Sequence, residues 1–297
     1  MKKTVLVKAP AKVNLYLKVL GRREDGYHEI LSLMQMVGLY DFVALREEPS
    51  DIRLTIENGS SLSIDRSNLV FRAAEALQKA AFQGEARSKG VSIRLTKNIP
   101  IAAGLGGGSS DAAATLVGLN RLWGLRWSRE RLARLGATLG SDVPFFLYGP
   151  TAWAAGRGDE VEPATANGAG WMVLVNPGIA VSTAWVYQEF SRKLGLTKSD
   201  REITINKFIA HRPSLREIYH RPHNDLEEVT LEAFPQLTQI KKELLGLGGK
   251  GVMMSGSGPT LFACFSDYSS AKQAAAAFEK KDLVKVWIAR ILRRSPV

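Results

Sequence analysis

A glycine- and serine-rich segment from Pro100 to Asp111 (PIAAGLGGGSSD) carries the strongest chemical signal in the sequence. A β-prone run precedes it, and a run of small residues with helical spacing follows it. Glycine lets the backbone approach a ligand closely, and a helix N-terminus presents unpaired N–H groups and a positive dipole end. Together they predict an anion site, most naturally for phosphate, in which Ser109 and Ser110 supply hydroxyls for phosphate oxygens or Mg²⁺.

This loop differs from the common motifs of nucleotide binding and hydrolysis. A Walker A loop ends in Gly-Lys-Ser or Gly-Lys-Thr, whereas this loop has no lysine, and the dinucleotide fingerprint requires glycine where Ser109 stands. The chain also lacks the Gly-x-Ser-x-Gly elbow of many serine hydrolases. The sequence therefore predicts a phosphate-binding loop that belongs to none of these three classes.

Three further segments contain residue types suited to chemistry. Lys12 and Asn14, two apart on an extended stretch, point to one face and suit a phosphate and a polar substrate group. Asp142 stands between a predicted helix and an apolar run, where a carboxylate serves either as a general base or as a turn or capping residue. A second Gly/Ser-rich segment, residues 254–260, suits either a ligand contact or a tight turn.

Hydrophobic spacing predicts the elements that position these residues in the first half of the chain. Alternation predicts strands at 39–46, 52–57 and 91–95. Helical spacing predicts one helix that follows Ser67 as its N-cap, one over about 110–122, and one from Ser128 to about Leu139.

Turn signals cluster between residues 150 and 170, and they favour a domain boundary near residue 156. Strand and helix patterns also alternate beyond this boundary, so the fold class is α/β or α+β. The predicted elements are a strand at 171–175, a helix from about Thr183, helical stretches in 204–219, a helix at 235–245, strands on either side of 255–258, a helix at 268–280 and a strand at 283–288.

Length and composition limit the class of protein. The 297 residues suit one large domain or two modest ones, and the net charge of +11 favours anionic partners. One cysteine, Cys264, excludes an internal disulfide and a thiolate zinc site, and the four histidines lack metal-ligand spacing, so no transition-metal ligands are predicted. No segment is typical of a signal peptide or a transmembrane helix, so we expect a cytoplasmic protein without membrane contact.

The segments around Lys12, Gly104–Ser110 and Ser255–Gly258 resemble, in this order, the three motifs of the GHMP small-molecule kinases. The resemblance covers essentially the whole chain and implies two mixed α/β domains with the active site in the cleft between them. Residues 1–155 would form a ribosomal-protein-like domain with a left-handed βαβ unit. Residues 156–284 would form a ferredoxin-like domain, and residues 285–297 would return to the first domain.

Within this family, Pro10–Leu15, Arg23–His28 and Leu139–Pro144 are most similar to the branch that phosphorylates 4-diphosphocytidyl-2-C-methyl-D-erythritol. The resemblance implies transfer of the γ-phosphate of ATP to the 2-hydroxyl of this acceptor, in the non-mevalonate route to isoprenoid precursors. It further implies ATP and Mg²⁺ as cofactors, no nucleic-acid partner, and a monomer or weak homodimer.

The resemblance also assigns roles to individual residues. Asp142 would accept the hydroxyl proton, while Lys12 would neutralise charge and position the hydroxyl. Tyr27 would stack on cytosine and His28 would hydrogen-bond its edge. The other implied acceptor contacts are Asn14, Thr183, Tyr187, Ser257 and Gly258. The implied ATP contacts are Asn68, Lys97, Pro100, Gly104, Leu105, Gly106, Gly107, Gly108, Ser109 and Ser110.

Two alternatives stay open at this stage. The first is another GHMP kinase with homoserine or phosphomevalonate as acceptor, which would not need the base-binding pair Tyr27 and His28. The second is a basic RNA-binding protein, for which we would expect a concentrated basic stripe with interleaved aromatic residues. The basic residues are instead spread from Lys2 to Arg294.

Overall fold

A computed structural model describes residues 3–59, 61–83, 89–165, 170–195, 217–218 and 221–297. The helical prediction for 204–219 lies outside the described residues except at positions 217 and 218. Within these ranges, no helix has the length and apolar character needed to cross a membrane. The described chain forms two sheets, each covered by helices.

A long antiparallel hairpin organises the first sheet. The strands of this sheet are β1 (Thr4–Arg22), β2 (His28–Glu48), β3 (Ile52–Glu57), β4 (Gly90–Thr96), β5 (Thr151–Gly156), β6 (Glu160–Pro163) and β8 (His223–Asn224). The two arms of the hairpin, β1 and β2, pair along most of their length, and β3 and β4 form a parallel pair at one edge. The strand order is β3-β4-β2-β1-β8, with β5 paired to β2 and β6 paired to β5.

Among the described residues, four helices belong to the first sheet: α1 (Leu69–Phe82), α2 (Gly107–Trp123), α3 (Arg129–Ala137) and α4 (Val143–Tyr148). Their apolar faces join the sheet in one core, because residues one helical turn apart, such as Leu116 and Leu119, are fully buried. The residue at the N-cap of α1 is Asn68, whose side chain accepts the N–H of Val70, so the N-cap predicted at Ser67 is wrong by one residue.

The second sheet is antiparallel and contains β7 (Trp171–Asn176), β9 (Lys250–Met254), β10 (Leu261–Phe265) and β11 (Lys285–Arg290). Its order is β11-β7-β10-β9, which is the fourth, first, third and second of these strands along the chain. This order agrees with the predicted ferredoxin-like domain. The helices that accompany it are α5 (Thr183–Leu194), α6 (Glu227–Ala233), α7 (Pro235–Gly246) and α8 (Tyr268–Glu279).

Alternation along β10 shows how the two halves fit together. Phe262 packs in a core shared with the first sheet, whereas Leu261 and Phe265 pack in a core beneath α7 and α8. Strand β7 behaves in the same way, with Leu174 in the shared core and Val175 on the helix side. The second sheet is therefore a layer between the first sheet and its own helices.

Two predicted boundaries differ from the structure. The boundary near residue 156 falls inside a hairpin, because β6 pairs with β5 in the first sheet, and the chain passes to the second sheet only after Pro163. Residues 285–290 do not return to the first domain, because they pair with β7 as β11. The return begins at Ile291, which bridges Val37, and the Leu292 N–H then donates to the Met36 carbonyl.

Candidate active site

An open cleft of ≈ 1030 Å³ lies where the two halves meet. Its walls come from β1, the turn after β1, the phosphate-loop segment before α2, the segment before α4, the turn between β5 and β6, the start of α5, and the loop between β9 and β10. The chemically active segments predicted from the sequence therefore converge on one space.

Lys12 and Asn14 reach the cleft because β1 changes face. Val7 and Ala9 pack in the first core, whereas Val13 packs in the core between the sheets, and the strand register breaks between Pro10 and Ala11. Proline lacks the N–H that a regular ladder needs, so a break at this point is expected. The Lys12 N–H donates to the Leu105 carbonyl, which joins the strand to the phosphate loop.

Lys12 is the central cation of the site. Its ammonium group donates to Asn14 Oδ1 at 2.6 Å and lies 3.5 Å from Asp142 Oδ2. Asn14 is fixed in turn, because its Nδ2 donates to Ser32 Oγ at 2.8 Å. The Lys12 side chain is 6% exposed and that of Asp142 is 31% exposed, so the lysine forms the floor and the carboxylate opens to the cleft.

Asp142 occupies the N-cap position of α4, but its side chain makes no capping hydrogen bond. The structure therefore does not support the alternative interpretation of this residue as a structural cap. The segment that carries Asp142 is held rigidly, because the aromatic residues behind it, Phe145 and Phe146, are fully buried in the first core. A carboxylate that is held in place, paired with an ammonium group and open to a cleft is well suited to accept a proton.

The phosphate loop leads into α2, which begins at Gly107, three residues before the predicted start. Gly106 has φ +67°, and a Cβ there would lie 2.9 Å from Lys12 Cγ. Gly104 has φ +74°, and a Cβ there would lie 2.1 Å from the Ser255 carbonyl oxygen. Only glycine permits both the left-handed backbone and these close approaches. The N–H groups at the start of α2 thus lie beside the Lys12 side chain.

A cluster of buried charges lies beneath the loop. Lys97 pairs with Asp111 Oδ2 at 2.7 Å and also with Asp41, whose Oδ1 accepts the N–H groups of Asn98 and Ile99. Burial would lower the pKa of Lys97, but its pairs with Asp111 and Asp41 raise it. Burial raises the pKa of Asp111, which shares one ammonium group with a second carboxylate. Lys97 therefore anchors the loop more than it offers a free charge to ATP.

Two polar atoms at the start of α2 remain unsatisfied. Ser110 Oγ and Asp111 Oδ1 are buried and have no hydrogen-bond partner among the described residues. Within the same residues, no group of three or more His, Cys, Asp or Glu side chains is placed to hold a metal ion. The hydroxyl of Ser110 is thus a buried oxygen at the start of α2 that the described residues leave without a hydrogen-bond partner.

Aromatic residues form the opposite wall. The His28 ring stacks on Tyr187 with 4.9 Å between ring centres, and its Nε2 lies 2.5 Å from Ser191 Oγ. Tyr27 is 56% exposed, so its face is open to a planar ligand. Burial and then Arg22 lower the pKa of His28, so its ring is neutral at pH 7 and offers one donor and one acceptor. Burial and then Asp142 raise the pKa of Tyr187, which keeps its hydroxyl protonated.

The loop between β9 and β10 closes the cleft from the second half of the molecule. Ser255 Oγ donates to the Gly104 carbonyl at 2.9 Å, and Ser257 Oγ lies 2.8 Å from Thr183 Oγ1. Asn224 donates to the carbonyl of Gly256 at 2.8 Å. The loop is therefore tied to the phosphate loop, to α5 and to β8 at once.

The structure brings most of the predicted site residues to the cleft. Three do not line it: the Leu105 side chain packs in the core between the sheets, Ser110 is buried in α2, and Gly258 is buried in the loop between β9 and β10. The other residues predicted for the site line the cleft: Lys12, Asn14, Tyr27, His28, Asn68, Lys97, Pro100, Gly104, Gly106, Gly107, Gly108, Ser109, Asp142, Thr183, Tyr187 and Ser257. The sequence does not single out Arg157, because its flanking glycines are turn signals that favour a domain boundary near residue 156.

The fold and the site define a small-molecule kinase, and comparison with known proteins gives the family. Two family models match the chain, the GHMP kinases N terminal domain over residues 68–150 and the GHMP kinases C terminal model over residues 209–284. The chain belongs to the GHMP kinase family.

Two similar proteins carry the same name. A 4-diphosphocytidyl-2-C-methyl-D-erythritol kinase of Syntrophotalea carbinolica is 49% identical over 90% of this chain and 91% of its own. The protein of the same name from Geobacter sulfurreducens is 42% identical over 99% of both chains.

Two solved structures share the fold, and one of them carries the corresponding name. A crystal structure of a 4-(cytidine 5'-diphospho)-2C-methyl-D-erythritol kinase has a TM-score of 0.75 at 36% identity, covering 97% of this chain and 99% of the other. A homoserine kinase from Cytophaga hutchinsonii has a TM-score of 0.72 at 20% identity and covers 99% of this chain and 97% of its own. This second likeness shows the fold alone.

Proposed function

We propose that the protein is an ATP-dependent kinase that phosphorylates the 2-hydroxyl of 4-diphosphocytidyl-2-C-methyl-D-erythritol. The observation that carries the proposal is the pair Lys12–Asp142, which lies between a phosphate loop and an open aromatic wall. The names of the relatives support the same acceptor. The wall formed by Tyr27 and His28 favours a base-bearing acceptor over the smaller homoserine or mevalonate.

The transfer itself requires two of these groups. Asp142 accepts the proton of the acceptor hydroxyl while the hydroxyl oxygen forms a bond to the γ-phosphorus of ATP. The bond from the γ-phosphorus to the bridging oxygen breaks, and ADP leaves with that electron pair. Lys12 orients the hydroxyl and offsets the negative charge that spreads over the transferring group. Positioning and electrostatic stabilisation carry most of the catalysis in phosphoryl transfer.

The donor would bind at the start of α2. The N–H groups from Gly107 to Ser109 would hold its phosphates, and the helix dipole favours their charge. Mg²⁺ takes oxygen ligands and is held in kinases mainly by substrate phosphates with one or two protein groups. The unpartnered Ser110 hydroxyl and the cleft-lining Ser109 fit such an ion, which when bound neutralises phosphate charge.

The acceptor would bind on the other side of Asp142. Its cytosine would stack on the exposed Tyr27 ring, with the neutral His28 and Tyr187 behind it. His28 Nε2 contacts Ser191 Oγ in this structure. A hydrogen bond from His28 Nε2 to the edge of cytosine would therefore replace the contact with Ser191.

A coupled assay that measures ADP production tests the proposal. With ATP constant, we expect turnover with 4-diphosphocytidyl-2-C-methyl-D-erythritol and little with homoserine, mevalonate or phosphomevalonate. Lys12→Ala should remove most of the turnover because the hydroxyl loses its positioning cation. Preference for a small acceptor without a base would overturn the assignment, and a lower free energy of unfolding with unchanged kinetics would assign Lys12 a structural role.

We also propose that the protein works in the cytoplasm, where ATP is available, as a monomer or weak homodimer without nucleic acid. The spread of its basic residues along the chain supports this interpretation over an RNA-binding protein. Light scattering after size-exclusion chromatography and a filter-binding assay with total RNA test the two points. Salt-sensitive RNA binding in the absence of kinase activity would favour the alternative.

A further inference from the structure

The cleft offers few positive charges to an acceptor that carries a diphosphate. Among the residues that the structure describes, three lysine or arginine side chains line the cleft: Lys12, Lys97 and Arg157. Lys12 already pairs with the carboxylate beside the reacting hydroxyl, and Lys97 is buried between two carboxylates under the phosphate loop. Arg157 differs from both, because 34% of its side chain is exposed.

The turn between β5 and β6 places Arg157 on the acceptor side of the cleft. Its neighbours Gly156 and Gly158 have φ +70° and +102°, so the tight turn depends on glycine on both sides. A Cβ at Gly158 would lie 3.7 Å from Asp142 Oδ1, which puts the turn beside the general base. The guanidinium carbon of Arg157 lies 5.3 Å from the centre of the Tyr27 ring.

The guanidinium group of Arg157 has N–H donors left for a ligand. Its Nη2 donates to Asp159 Oδ2 at 2.7 Å, which uses one of the five N–H donors that an arginine carries. Arginine matches phosphate oxygens with two parallel hydrogen bonds, and it can do so while it stays in contact with an aromatic face. Asp159 is therefore a competitor that a phosphate group would partly displace.

We propose that Arg157 binds the diphosphate of the acceptor, next to the cytosine that lies against Tyr27. The inference rests on the proposed function and deepens it, because it assigns the charged middle of the acceptor to a named side chain. A diphosphate does not change charge when the distant hydroxyl reacts. Arg157 then stabilises the bound acceptor and the transition state about equally.

Calorimetric titration with cytidine, CMP and CDP tests the assignment on the whole protein. The wild type should bind CDP more tightly than cytidine. Arg157→Gln should weaken CDP binding about tenfold to a hundredfold, the range for a lost hydrogen bond to a charged group, with cytidine affinity preserved. In kinetics, the KM for the acceptor should rise much more than kcat falls, and the KM for ATP should stay constant.

Three further variants separate the possible outcomes. Asp159→Asn removes the competing carboxylate and should tighten CDP binding. If the Arg157–Asp159 ion pair were purely structural, Asp159→Asn and Arg157→Gln would both weaken CDP binding. Arg157→Lys keeps the charge without the planar fork and should fall between wild type and Arg157→Gln. Arg192→Gln is the matched control, because Arg192 also pairs with a nearby carboxylate, Glu189, but lies outside the cleft lining.

Two results would overturn the inference while the proposed function stands. One is unchanged CDP affinity in Arg157→Gln, and the other is an equal loss for cytidine and CDP, which would mean that Arg157 only supports Tyr27. A wild type that binds neither cytidine nor CDP would instead contradict the proposed function.

Discussion

At the scale of single residues, the contrast between two aspartates at helix starts separates chemistry from capping. Asp142 stands at the N-cap of α4 without a capping bond and faces Lys12. Asp267 stands at the N-cap of α8, and its side chain accepts the Ser270 N–H at 2.9 Å. Residue type and position are alike, so only the surroundings assign one to the reaction and the other to the fold.

Asp142→Asn should lower kcat by roughly 10²–10⁴, the usual contribution of a positioned base, while acceptor affinity is retained. The amide keeps the size of the carboxylate but cannot take the hydroxyl proton. Steady-state kinetics and a titration with CDP measure the two effects. Asp267→Ala is the matched control and should lower the free energy of unfolding by about 1 kcal/mol with kcat unchanged. Near-normal turnover in Asp142→Asn would remove this residue from the role of base.

At the scale of elements, the two Gly-rich loops act as one unit, and glycine is required where they touch. Gly104 and Gly124 have nearly the same backbone angle, φ +74° and +70°. A Cβ at Gly104 would collide with the Ser255 carbonyl, whereas a Cβ at Gly124 would meet nothing within 4 Å. A comparison of these two positions isolates the contact from the backbone strain.

Both Gly104→Ala and Gly124→Ala should lose about 1 kcal/mol of stability to left-handed strain. Gly104→Ala should in addition push the phosphate loop away from residues 255–258. A shift of about 1 Å in a positioning element costs on the order of 10²-fold in rate, so kcat/KM for ATP should fall by about that factor. Equal kinetics in the two variants would mean that the contact between the loops does not position ATP.

The charged cluster beneath the loop gives a prediction about pH. The pKa of Asp111 rises from 3.8 to about 8, mainly through burial, so the folded state holds a proton that the unfolded state has released over that interval. Stability then falls as pH rises from about 4 to about 8, because the native state binds more protons. Asp111→Asn should abolish this slope, as urea unfolding at several pH values would show. A slope retained in the variant would assign it to another group.

Some elements can be predicted from the sequence and others cannot, for physical reasons. Amphipathic spacing predicts α5, α7 and α8 closely, because one face of each helix is buried. The sequence does not reveal strand β5, because Thr151–Gly156 consists mostly of small residues and is buried on both faces, so it lacks the period of two. Its turn carries Arg157 into the cleft. The Lys97–Asp41 pair was also missed, because its members are 56 residues apart and neither belongs to a recognisable motif.

At the scale of the whole molecule, the two halves are not independent bodies. Leu15 and Leu33 of the first sheet share a core with Leu174 and Phe262 of the second. Residues after β11 add a second tie, because Gln35 Nε2 donates to the Leu292 carbonyl at 2.9 Å. The active site lies on this junction, so its geometry requires both halves to be folded at once.

We therefore expect the protein to unfold in one transition, and Phe278→Ala tests this. Phe278 is fully buried between α8 and the second sheet, away from the shared core. Its truncation should cost about 3–5 kcal/mol and lower the melting temperature by roughly 6–20 °C. Because the sheets share a core, calorimetry should still show one peak whose calorimetric and van't Hoff enthalpies agree. If the halves were independent, the variant would show two peaks, with the upper one at the wild-type temperature.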